Sequence, residues 1–112
     1  MRKANNGTTL DIPKGLSRKG RTAAAIIKKL MNRNHFETGG CKTFYTPKEW
    51  KARSEKWGTT SELVFVYDGG DLYSIMSNEF GYQTSDELQQ DLQKIGLYYE
   101  ECTCWYSAIY EV

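Results

Sequence analysis

Residues 97–112 read Leu-Tyr-Tyr-Glu-Glu-Cys-Thr-Cys-Trp-Tyr-Ser-Ala-Ile-Tyr-Glu-Val. The stretch holds five of the chain's fifteen aromatics and two of its three cysteines, with no Gly or Pro, so it favours extended backbone over helix or linker. It reads either as one long strand or, with a break near Cys102 to Cys104, as a hairpin of two. The elements before it need such a surface to cover.

Immediately upstream, Thr84-Ser85-Asp86-Glu87 has the form of a capping box. Leu88, Leu92 and Ile95 then fall on one helical stripe, which Gly96 closes. Further back, Glu62-Leu63-Val64-Phe65-Val66-Tyr67 is a short β-branched and aromatic run whose near-continuous apolarity suits a central strand. Asp68-Gly69-Gly70-Asp71 ends that strand. Leu72, Ile75 and Met76 at helical spacing then predict a short helix to about Ser77.

In the first half, Ser17 caps an expected amphipathic helix over residues 17–32, with Ala23, Ile26, Ile27 and Leu30 inward and Lys28 and Lys29 between them. Thr46-Pro47-Lys48-Glu49 is a second capping box, predicting a helix to about Trp57 closed by Gly58. On such a helix Trp50 and Trp57, seven apart, share a face and anchor the core. Residues 1–16 carry one apolar pair, Leu10 and Ile12, amid Asn, Gly, Thr and Lys, and read as a loose basic arm. The expected fold is a single α+β domain over residues 17–112, with a small antiparallel or mixed sheet of about three strands packed against three to four helices. At 112 residues it has room for one core without staples.

No apolar run reaches membrane-spanning length, and Met1 to Asn6 lacks the apolar segment of a signal peptide. A cytoplasmic protein with no membrane association is expected. Three cysteines without an export signal favour free thiols over a disulfide framework.

A net charge of +1 conceals strong polarity along the chain. Residues 1–33 sum to +8, with Asp11 the single acid, and residues 34–58 to +2. Residues 59–112 sum to −9, with Lys94 the single base. Asymmetry of this kind is the sequence mark of charged partners, or of ends that attract each other within a chain or across a homodimer.

The chemistry the residues can assemble is limited. His35 is the only histidine and sits beside no recognisable nucleophile turn. Glu100 and Glu101 are adjacent, so strand alternation sends them to opposite faces and they cannot act as a dyad. Gly15 to Thr22 approximates a phosphate loop, but Arg21 stands where Lys belongs and Pro13 replaces the incoming strand. His35, Cys41, Cys102 and Cys104 hold the ligand inventory of a zinc site, though the Cys-x-Cys spacing is tighter than the usual knuckle.

No cofactor or catalytic residue is expected, and binding is favoured over catalysis. The leading expectation is a non-enzymatic binding protein that docks an acidic, aromatic surface (Asp86, Asp91, Tyr98, Tyr99, Glu100, Glu101, Tyr106, Tyr110) on a basic surface of a partner protein. Small anti-defence inhibitors from phages and mobile elements work in this style, by occupying grooves that hold phosphate backbones. The alternatives are a nucleic-acid binder using the basic arm with Arg18, Lys19, Arg21, Lys28, Lys29 and Arg33, and a small zinc-binding domain.

Overall fold

The computed structural model describes residues 11–34, 36, 42–67, 70–79 and 81–112. Its elements run α1 (Arg18–Arg33), β1 (Phe44–Tyr45), α2 (Pro47–Ala52), β2 (Leu63–Val66), α3 (Gly70–Met76), α4 (Gln83–Gln93), β3 (Leu97–Thr103) and β4 (Tyr106–Glu111). The fold is α+β, with the four described helices packed on one antiparallel sheet of order β1-β2-β4-β3. The expected strand count of about three becomes four. The added strand is two residues long, held where Phe44 pairs with Phe65 and Tyr45 with Val64. The final stretch is a hairpin, and its second strand lies inside the sheet between β2 and β3.

Strand alternation divides the sheet into two faces. Leu63, Phe65, Tyr67, Leu97 and Ile109 join Ala23, Ala24, Ile27, Leu30 and Met31 of α1, Leu72 and Met76 of α3, and Leu88 and Leu92 of α4 in the main core. On the reverse face Val64, Val66 and Tyr106 pack under Trp50 of α2. Trp50 is edge-on to Tyr106, their ring centres 4.8 Å apart. The loop after α2 reaches this face through Gly58, whose φ of +86° suits glycine and whose α-carbon sits over Val64 and Ala108.

Local chemistry explains the ends of the helices. The Ser17 hydroxyl accepts from the Gly20 amide at 3.0 Å and caps α1 as expected. Gly20 itself is buried against the Glu62 backbone, where a Cβ would meet the carbonyl oxygen. Its role is close packing of α1 on the approach to β2. Thr46 and Glu49 form the reciprocal capping box, and the Thr46 amide, the largest influence, holds the Glu49 carboxyl below its usual range.

Two expectations are corrected. Helix α2 stops at Ala52, because Ser54 enters the left-handed region at φ 63°. The amides of Ser54 and Glu55 then turn back onto the carbonyls of Lys51 and Trp50, a Schellman closure. Trp57 therefore leaves the helix and is 52% exposed, while Trp50 is fully buried. At α4 the helix is as expected but the Thr84 capping box does not form: the N-cap is Tyr82, with no side-chain cap. The Ser85 hydroxyl instead donates to Asn78 at 2.7 Å, tying the end of α3 to the start of α4. Ile95, expected on the buried stripe, is 44% exposed. Among the described residues, no helix is long and apolar enough to cross a membrane.

Candidate functional site at the β3 edge

Strand order places β3 at one edge of the sheet and β1, with α2, at the other. The flanking charges follow the same order. Lys42, Lys48, Lys51, Arg53 and Lys56 lie in the β1–α2 segment, whereas Asp86 opens α4 and Glu100 and Glu101 lie on β3.

The acidic half is nevertheless partly neutralised by the chain itself. Lys19 of α1 pairs with Glu111 of β4, and Arg33 with Glu87 of α4. Lys94 pairs with Asp91 at 3.5 Å, and the Ser17 hydroxyl donates to Glu62 at 2.6 Å. Among the described residues, no ion pair reaches Asp86, Glu100 or Glu101. The broad anionic wall expected from the charge pattern thus contracts to these three carboxylates at the edge. The pairs elsewhere are exposed, so each adds little stability, but they do cancel local charge.

The aromatic members of the expected site separate between the two faces. Tyr99 points into the helix side and is half-buried; burial, more than the nearby Asp86 and Glu101, raises its phenol pKa. Tyr98 lies on the reverse face directly across from Tyr110, ring centres 5.8 Å apart and planes inclined at 32°. Glu100 shares that face. Tyr106, placed on the sequence in the docking surface, is 1% exposed beneath Trp50, a core position that a partner does not reach. Asp91 is occupied by Lys94. The edge set that stands together is therefore Asp86, Tyr99 and Glu101 on one side of β3, with Tyr98, Glu100 and Tyr110 on the other.

Gln89 is a residue the sequence reading missed. From α4 its amide accepts from the Tyr99 N–H at 2.8 Å and donates to the Tyr99 carbonyl at 3.1 Å. It meets the edge strand as another strand would. Only its spacing on α4, one residue after Leu88 of the buried stripe, could have pointed to it.

The basic helix sorts its cations in a way the sequence does not announce. Lys19 and Arg33 face the carboxylates of β4 and α4. Arg18, Arg21, Lys28 and Lys29 lie around the other side and form no ion pair among the described residues. Arg21 donates to the Leu16 carbonyl at 2.9 Å. A groove of about 320 Å³ at the start of α1 is lined by Arg18, Lys19, Thr22, Ile95 and Leu97, which accounts for the exposure of Ile95.

Of the zinc set, His35 and Cys41 lie outside the described residues. Cys102 is half-buried on β3, its thiol directed to the Glu100 carbonyl, and Cys104 is exposed in the hairpin turn. Among the described residues, no three His, Cys, Asp or Glu side chains gather into a metal site. Asp68, weighed with Asp71 as a cation pair, also lies outside the described residues. Comparison of the chain with protein-family models, with curated proteins and with solved structures finds no match.

Proposed function

We propose that this is a non-enzymatic binding protein that docks its β3 edge on a basic surface of a partner protein. One observation carries the reading: Asp86, Glu100 and Glu101 flank a single edge strand, and no described cation pairs with them. The one base of residues 59–112, Lys94, is committed to Asp91. Unneutralised carboxylates steer a basic partner into encounter, and the adjoining tyrosines supply area to bury once contact is made. A cytoplasmic anti-defence inhibitor of phage or mobile-element type, covering the phosphate-binding surface of a nucleic-acid-handling enzyme, is the concrete form of this reading, by analogy of charge alone.

The test is capture on immobilised protein beside the triple variant Asp86→Lys, Glu100→Lys, Glu101→Lys. The expected result is a partner of basic surface retained by the wild type, released as salt rises, and lost with the variant. Equal capture by both proteins would sink the reading. A solution mass reads the homodimer form, in which the basic β1–α2 edge of one copy meets the β3 edge of another.

A second reading rests on the sorting of the α1 cations. Arg18, Arg21, Lys28 and Lys29 form a stripe about 16 Å long on the side of the helix turned from the acidic elements, which suits contact with a phosphate backbone. In that reading the β3 edge is scaffold or a separate partner surface.

A further inference from the structure

On the sheet face opposite α1 and α4, the aromatic rings near β1 are each supplied with a cation by the chain itself. The Lys42 ammonium lies 4.6 Å from the ring centre of Tyr45. The Arg53 guanidinium lies 4.6 Å from that of Trp50 and 5.3 Å from that of Tyr45. Lys56 sits 5.0 Å from Trp57, just beyond α2. Rings attract such cations through their negative faces, most strongly where water is partly excluded.

The β3 end of the same face has the same ingredients with one missing. Tyr98 and Tyr110 stand side by side across the β3–β4 pairing, both half-buried, their planes inclined at only 32°. Glu100, two residues along from Tyr98, projects from that face and is exposed. Its charge reaches the pair: Tyr110's phenol pKa is raised first by burial, then by Cys102 and Glu100. Among the described residues, no cation stacks on either ring or pairs with Glu100.

We propose that Tyr98, Tyr110 and Glu100 form a seat for an arginine side chain of the partner protein. The guanidinium plane stacks over the paired phenol rings, and its N–H fork donates to the Glu100 carboxylate. Arginine suits the seat better than lysine, because it is planar, less tightly hydrated and able to make two parallel bonds to one carboxylate. The inference rests on the proposed docking of the β3 edge and names the side chain that the edge receives.

The test titrates capped hexa-arginine and capped hexalysine into protein carrying ¹³C-labelled tyrosine, followed by NMR of the rings. The expected result is saturable shifts of Tyr98 and Tyr110, tighter binding of the arginine peptide by about 3-fold or more, and weakening by about 10-fold in Glu100→Gln or Tyr98→Leu. Asp86→Asn, outside the seat, leaves those shifts in place. If the arginine peptide binds but perturbs only groups around Asp86 and Glu101, or binds Tyr98→Leu as it binds wild type, the seat is overturned and the docking reading stands. Failure of both peptides to bind also overturns the seat, and the charge-swap capture then decides the docking reading by itself.

Discussion

The side-chain amide of Gln89 is bonded to both backbone groups of Tyr99, 2.8 Å from its N–H and 3.1 Å from its carbonyl. An edge strand left open pairs readily with other chains, and here the middle of the edge is closed from within. Gln89→Leu frees both groups. The expected result is a loss of about 1–2 kcal/mol in denaturant unfolding, together with concentration-dependent self-association in light scattering. A variant as stable and monomeric as wild type would show that the clamp is incidental.

Gly20 lets α1 approach the Glu62 carbonyl, and any side chain there must push the two apart. Gly20→Ala gains helix propensity, yet the backbone clash outweighs it. A net destabilisation of about 1–3 kcal/mol is expected, read as a fall in Tm of at least about 4 °C. An unchanged or raised Tm would contradict the packing role.

The two tryptophans of the α2 region part company energetically. Trp50 is fully buried against Tyr45, Trp105 and Tyr106, so Trp50→Ala is expected to cost about 3–5 kcal/mol. Trp57, 52% exposed, is expected to change stability by less than about 1 kcal/mol on the same replacement. Intrinsic fluorescence should also shift to longer wavelength when Trp57 alone remains near the surface.

Burial, assisted by Glu100, pushes the Cys102 thiol up to about 11. At pH 8 its alkylation in the native protein is expected to run about 100-fold slower than in denaturant, while Cys104 in the exposed turn reacts first. The native state holds the Cys102 proton longer than the unfolded chain does. Its contribution to stability is therefore complete below about pH 9 and is lost as pH rises towards 11. Mass spectrometry after timed labelling, and unfolding followed across that pH range, check both statements.

Replacing Arg18, Arg21, Lys28 and Lys29 together by Ala is expected to abolish any low-salt retention on immobilised duplex DNA, since these cations carry the nucleic-acid reading. Lys19→Ala with Arg33→Ala removes charges already engaged by Glu111 and Glu87 and should weaken retention far less. If neither variant differs from wild type, or wild type is not retained at all, the nucleic-acid reading falls.

Much of this architecture is written locally. The cap at Ser17, the box at Thr46 and Glu49, the stripe of α4 and the apolar run of β2 each satisfy their own backbone or bury their own face, so residue order suffices to find them. What escaped depends on distant partners. Strand β1 exists only because Phe44 and Tyr45 meet β2. The early stop of α2 turns on Ser54 adopting a conformation usually left to glycine. Ser85 abandons a cap for Asn78. The candidate site was legible as composition, but its true extent depended on which carboxylates Lys19 and Arg33 reach, across separations that no local pattern records.

The position of β4 also imposes an order in time. It is the last of the described strands along the chain, yet it lies between β2 and β3, pairing Val64 with Ala108 and Tyr99 with Ile109. During synthesis β1 and β2 can wait as a short ribbon, and α4 can lean on β3, but neither pair has its neighbour until residue 106 onward emerges. Completion of the sheet is a late, long-range closure, and the growing polypeptide carries an unfilled slot until then.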